Sequence, residues 1–322
     1  MRVLVIGSTG YVASRLIPTL LKAGHQVIAG ARRPAKLDRF YWSDSVERAE
    51  IDVLDETSIT KALRPDIEAV IYLVHGMDGM NFRATDRKAA RNLVSALPTS
   101  NVERLVYLSG IVPQVKREAL SEHLISRLEV EEILAQATPT VITLRAAMLI
   151  GAGSASFDLM AELTRRLPIT IVPYWMNHQV EPISVEDVTL AIEGALTARI
   201  PTGHYDVGCG QRLSYPDLLE LFAEAASIHR DQLHLPFLPE PVVAKLAARI
   251  TSVHTATAEA LIESLQQNMV AADARWTSDL ITRESNYQPC GIREAISRSL
   301  KDPDATVPPS SRDPLGHLPG DH

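Results

Sequence analysis

The sequence predicts an α/β fold: a doubly wound parallel Rossmann sheet with a smaller C-terminal substrate (cap) region. Three observations carry this. The stretch from Met1 to Ala13 reads as a buried strand, a glycine-tight turn and the opening of a helix. Apolar runs of strand length then alternate with helical patterns as far as Ile150. The runs are apolar on both faces, as helices on either side of a parallel sheet require.

The first strand spans Arg2–Ile6, and Gly7-Ser8-Thr9-Gly10-Tyr11-Val12-Ala13 follows it. Val12, Leu16, Leu20 and Leu21 then fall at helical spacing and place a helix over Tyr11–Leu21. Further strands are predicted at Gln26–Ala31, Arg48–Ile51, Ala69–Val74, Arg104–Ser109 and Thr140–Leu144, with helices at Phe82–Ala96 and Leu120–Ala135. A helix from Phe157 to Arg166 precedes a seventh apolar run, Ile169–Val172. Right-handed crossovers join such elements into a doubly wound sheet.

Beyond Ile150 the pattern is less regular. A strand-like His204–Val207 leads to Leu213-Ser214-Tyr215-Pro216 and a helix over Asp217–Ala226, with Ser214 at the helix entry. Helices are also expected at Pro241–Ile250 and Thr255–Gln267. The organisation read from this is a coenzyme-binding domain over 1–150 and, over 151–300, the remaining sheet elements with a helical cap. The segment 301–322, rich in proline, aspartate and serine, reads as a disordered tail.

Composition narrows the function. The chain has 322 residues, 46% hydrophobic, and no apolar run reaches the ~20 residues of a bilayer span. Its formal net charge of −7 has no basic stripe within it, which argues against nucleic acid as a partner. Cys209 and Cys290 sit in no metal-ligand spacing and read as incidental thiols of a reducing compartment. A first strand beginning at Arg2 leaves no room for a leader, so a cytoplasmic chain is expected, with no metal and an open oligomeric state.

The glycine loop carries the chemistry. Gly7 lets the chain leave the strand in a conformation a Cβ opposes, and Gly10 lets the backbone approach phosphate oxygens. Ala13 keeps the helix close to the sheet. Ser8, Thr9, Tyr11 and Val12 complete a loop whose amides face a diphosphate at the helix N-terminus. After the second strand Ala31 offers no acid for a ribose 2′-hydroxyl, whereas Arg32 and Arg33 suit a 2′-phosphate. NADP(H) is therefore the expected coenzyme, with NAD(H) as the alternative and a solvated basic loop as the plainer reading of the pair.

With these features the chain resembles the extended and atypical short-chain dehydrogenase/reductases, in particular the NAD(P)H-binding, NmrA-like and nucleotide-sugar-epimerase-like branch, across roughly residues 1–300. The resemblance implies that Asp52, followed by Val53, contacts the adenine amino group, and that Leu73, Val74 and His75 line the coenzyme groove. It makes Ser109, in Val106-Tyr-Leu-Ser109-Gly110, the catalytic serine. Leu144-Arg145-Ala146 matches a Leu-Arg-Pro step with alanine in place of proline. Gln179 to Val188 resembles the step into the substrate region, and Asp206-Val-Gly208 a later turn of it.

The resemblance breaks at the active site. The family's Tyr-x-x-x-Lys pair reads here as His123 and Arg127, while Ser126 and Glu131 keep their places. Positions 123 and 127 are one helical turn apart and share a face. A histidine shuttles protons near neutrality, yet Arg127 beside it favours the neutral imidazole. Arginine still offers a fork of donors to ribose hydroxyls. The alternative is that both are ordinary surface residues of a helix near a groove.

Ser109 lies where carbonyls are oriented in such sheets, or its hydroxyl is satisfied by neighbouring backbone. Tyr107 faces the same side and reads as core; Tyr11 reads as packing on the helix. Asn177, His178 and Glu181 either line a substrate pocket or form a surface loop, and Glu129 and Glu132 belong to a charged helix face. Two functions remain: an NADP(H)-dependent oxidoreductase acting on a small carbonyl or enone with a non-standard site, or a non-catalytic NADP(H)-binding sensor or assembly subunit. Sugar-nucleotide epimerisation falls behind, because it leans more directly on the missing tyrosine and lysine.

Overall fold

A computed structural model of the chain describes residues 1–76, 81–235, 237–282 and 286–321. Its strands are β1 (Arg2–Ile6), β2 (Gln26–Ala31), β3 (Glu47–Glu50), β4 (Ala69–Tyr72), β5 (Arg104–Gly110), β6 (Thr140–Ala146), β7 (Leu149–Ile150), β8 (Ile169–Val172), β9 (Gln179–Val180), β10 (Ile183–Ser184), β11 (Gly203–Val207), β12 (Leu213–Ser214) and β13 (Asp231–His234). Its helices are α1 (Tyr11–Lys22), α2 (Glu56–Ala62), α3 (Phe82–Ala96), α4 (Glu122–Leu134), α5 (Ala155–Arg166), α6 (Val185–Thr197), α7 (Tyr215–Ala225), α8 (Glu240–Ile250), α9 (Thr255–Ser264), α10 (Arg275–Asp279) and α11 (Ile292–Ser299).

Seven parallel strands form the central sheet in the order β11-β6-β5-β4-β1-β2-β3. The order reverses between β1 and β4, which opens the crevice where such sheets bind ligands. Alternation along β1 feeds two cores. Val3 and Val5 pack with α1 and α6 on one face. Leu4 and Ile6 pack with α2, α3 and the end of α4 on the other. A third core, through Phe157, Met160, Leu218 and Phe222, joins the cap to Ile111 and Leu124 of the sheet domain.

Two expectations need correction. Ile169–Val172 is a strand, but it pairs with β13 in a two-stranded sheet of the cap. The seventh strand of the central sheet is Gly203–Val207, in parallel register with Ile142–Ala146. The reason is α6: buried almost throughout, it brings the chain back from the cap and delivers β11 beside β6. The sheet therefore closes only with residues beyond 150, and β7 at that point pairs with β10.

The segment from Lys301 is not a disordered tail. Leu315 is fully buried, and its carbonyl accepts from Ala152 N at 2.8 Å. Arg298 grips Asp313 through Nε (2.9 Å) and a second guanidinium nitrogen (2.8 Å). Arg15 on α1 reaches Asp321 at 2.6 and 2.7 Å and the carbonyls of Pro314 and Gly316 at 2.8 and 3.0 Å. A few well-placed contacts outweigh a composition poor in apolar residues. Among the described residues, no helix is long and apolar enough to cross a membrane.

Candidate coenzyme and active site

The loop between β1 and α1 is shaped by its glycines. Gly7 has φ +95°, and a Cβ there would stand 3.2 Å from Val74 Cγ2 and 3.3 Å from the Leu73 carbonyl carbon. A Cβ on Gly10 would meet the Gly7 oxygen at 3.3 Å. The amides of Gly7 and Ser8 both donate to the Gly30 carbonyl, at 3.2 and 3.0 Å, which ties the loop to β2. Gly10 caps α1, so the amides of Tyr11, Val12 and Ala13 are the first helical donors and have no partner within the helix. They are the donors a diphosphate requires.

Ser8 differs from expectation. Its side chain is buried and its hydroxyl donates to the Val5 carbonyl at 2.8 Å, so it pins the loop rather than facing a ligand. Thr9 faces outward with Arg32, Arg33 and Lys36 around a hollow of about 360 Å³. Among the described residues, no acidic side chain lines it. Lys36, on the turn after the arginine pair, is a residue the sequence reading missed.

Asp52 lies exposed just past β3, and its carboxylate accepts the Leu54 amide at 3.0 Å. Val53 packs into the core and its carbonyl accepts from Asn92. Val74 packs there too, while Leu73 and His75 line the main cleft.

That cleft, about 280 Å³, brings the remaining candidates together. Gly7, Gly10, Tyr11 and Val12 form one part of its wall, and Ser109, His123 and Arg127 another. β5 delivers Ser109, and α4, capped by Ser121, delivers His123 and Arg127 from one face. Gly110 makes room: a Cβ there would stand 3.1 Å from Arg127 Cδ. Arg127 Nε donates to His123 Nε2 at 3.0 Å. That nitrogen must therefore be unprotonated, which places the imidazole proton on Nδ1.

The electrostatics follow from burial beside a cation. Burial, helped by the Arg127 charge, brings His123 down to about 3. The same charge, with burial and His123, holds His75 well below the ordinary imidazole range. Burial pushes the Tyr107 phenol up to about 12, with Arg127 pulling the other way. The hydroxyls of Tyr107 and Ser109 are buried, lie close to one another, and find no well-aligned hydrogen-bond partner among the described residues. An orphaned hydroxyl beside a desolvated guanidinium is the arrangement that a polar ligand atom would complete.

Other matched positions have structural roles. Ser126 donates to Asp86 on α3 at 2.9 Å, and Asp86 accepts the Gly76 amide at 2.8 Å. Asp86 fixes the turn after β4, and only its place on the apolar face of α3, with Ala89, Ala90 and Leu93, would have marked it in the sequence. Glu131 takes Arg145 in a two-point pair at 2.9 and 2.7 Å, joining α4 to β6. Asp187 accepts from Ser184, Tyr287 and the Cys290 amide, anchoring the start of α6. Glu181 is buried against the Gly210 and Ala271 amides and Arg212, while Asn177 and His178 are exposed. None of these three lines the main cleft.

Residues 7–160 match the family model described as NAD(P)H-binding. Structural likeness covers more of the chain. A nucleoside-diphosphate-sugar epimerase from Staphylococcus aureus superposes with a TM-score of 0.72 at 12% identity, covering 92% of this chain and all (100%) of that one. An NADPH-dependent quinone oxidoreductase from Escherichia coli gives 0.69 at 17% identity, with 92% and 98% covered. The Bordetella bronchiseptica enzyme WbmH, solved with NAD+, gives 0.68 at 16% identity, with 92% and 96% covered. At these identities the likeness is one of fold. No curated protein matches the chain in sequence.

Proposed function

We propose that this chain, which carries an NAD(P)H-binding domain over residues 7–160, is an NADP(H)-dependent reductase of a carbonyl or conjugated enone. One observation supports this above the rest: a single cleft has the glycine loop on one wall and the buried Ser109 hydroxyl with Arg127 on another.

The residues fit the coenzyme. The loop would hold the diphosphate through the Tyr11, Val12 and Ala13 amides, at a place a Cβ on Gly7 or Gly10 would crowd. Arg32, Arg33 and Lys36 would hold a 2′-phosphate. The coenzyme supplies the hydride; the protein orients and polarises.

In this reading the Ser109 hydroxyl donates to the substrate carbonyl oxygen. The Arg127 guanidinium, little solvated, stabilises the negative charge that grows there. His123 accepts from Arg127 and so aims it, acting as a positioning residue and not as the acid. Solvent water then supplies the proton, to the alkoxide oxygen of a carbonyl substrate or to the α-carbon of the enolate formed from an enone. Purified protein titrated with NADPH, followed by aldehydes, enones and quinones, tests this by loss of reduced coenzyme. Ser109→Ala should lower kcat about a hundredfold and leave NADPH affinity unchanged.

A second reading has its own support. Neither histidine lining the cleft is tuned toward neutrality, since His123 is held near 3 and His75 well below the ordinary imidazole range. A non-catalytic NADP(H) sensor needs no such group. NADPH binding without turnover across the whole panel would favour it. So would the absence of any gain from restoring His123→Tyr together with Arg127→Lys.

A further inference from the structure

We propose that the substrate is an amphiphile, with its reducible head beside Ser109 and a long aliphatic chain running through the cap. The head-group chemistry rests on the reductase reading above; the chain site rests on the cap alone.

The cleft does not end at the sheet. A small hollow of about 40 Å³ shares Ala147, Ser156, Leu261, Ser264 and Met269 with it as walls. That hollow in turn shares Tyr215 and Leu265 with a cavity of about 70 Å³ between β8, α5, α7, α8 and α9. Among the described residues, no charged side chain lines either hollow. Well-packed interiors leave few voids larger than water, and apolar voids stay dry. Two such voids, each sharing walls with the next as far as the cleft, are therefore poor as core and suited to a chain. The residues common to neighbouring hollows include Leu261, Leu265 and Met269, flexible side chains that re-pack around an occupant.

The outer cavity reaches the surface. Leu246 lines it and is 46% exposed. Val242, one turn before it on α8, is 52% exposed, and Phe237, next to the wall residue Leu238, is 94% exposed. Large apolar side chains exposed together mark a binding surface more often than chance placement. Here they continue the apolar lining outward, where the far end of a chain longer than the cavity would lie.

Primary n-alcohols from four to twelve carbons provide a probe that binds without being reduced. Calorimetric titration of the full chain with NADPH present should show affinity rising about fourfold per methylene until the cavity is filled. Ala247→Trp, which fills the outer cavity, should remove that dependence and leave NADPH affinity as it was. Leu246→Glu at the exposed mouth should weaken the long alcohols at least tenfold, and it decides the matter if the first variant does not fold. Equal affinity at every length, or a dependence that survives in the folded variants, overturns the proposal. Turnover of short aldehydes without any chain-length effect would do so while leaving the reductase reading intact. A chain-length effect in a protein that binds no NADPH would do the reverse.

Discussion

Arg32 and Arg33 are exposed side chains at the end of β2, and their value as site residues lies in what is missing around them. With no carboxylate in the hollow, a 2′-phosphate meets only cations and the loop at Thr9. Replacing both by alanine should raise the Kd for NADPH at least tenfold, since each charge-assisted contact contributes about 1.5–3 kcal/mol. NADH affinity should stay within about twofold. Equal losses for both coenzymes, read by fluorescence titration, would detach the pair from the phosphate. His123 supports a second expectation. Its folded pKa lies near 3 and its unfolded value near 6.5, so only the unfolded chain takes up a proton between them. Stability is then whole above about pH 6.5 and falls as pH drops toward 3. Imidazole resonances of His123 should stay flat from pH 8 to 5 by NMR; titration near 6.5 would show the Arg127 contact to be absent. The pairing of these two residues was readable from their spacing, because one helical turn sets them on one face. The inward turn of Ser8 was not, since the Val5 carbonyl that takes its hydroxyl is a backbone atom of the preceding strand.

At the scale of elements, the stretch from β1 to β2 was legible to within one residue because three constraints agree there: apolar strands, two glycines and a regular helical stripe. The same agreement fails at Ile169–Val172, where strand character is plain but the partner is not. Pairing depends on what the chain does about thirty residues later, when α6 has returned it to the sheet as β11. α6 itself escaped the reading because it is buried on nearly every side, including Thr189 and Glu193 of the polar stripe Glu186, Thr189, Glu193 and Thr197. The tail escaped for the opposite reason: its composition has little to bury, and its hold depends on Arg15, which looks in sequence like a surface residue of α1. Arg15 is in fact buried, with Asp321 as its charge partner. Asp321→Ala leaves that guanidinium without a counter-charge and should cost about 3 kcal/mol, seen as a lower urea midpoint. Asp321→Asn, which keeps the hydrogen bonding of one oxygen, should cost less. If both are neutral, the tail does not hold α1 as described.

For the whole molecule, the question is whether cap and sheet unfold together. The central sheet takes its last strand and α6 from beyond residue 150, and one core runs from Ile111 and Leu124 through Phe222 to Leu315. A fragment ending at residue 150 would expose an edge of β6 and the faces that α6 covers, so it should not fold alone. The intact chain should unfold in one transition. Three tryptophans allow this to be watched by region: Trp42 packs in the sheet domain, Trp175 beside the cap cavity and Trp276 under β11. Variants keeping one tryptophan each should share a midpoint in urea with the far-UV signal. NADPH at a hundred times its Kd should then add about 2.7 kcal/mol, or about 5 °C in Tm, to all three probes equally. A rise confined to Trp42 would mean that the cap unfolds on its own, and the path from cleft to outer cavity would then lack a fixed wall.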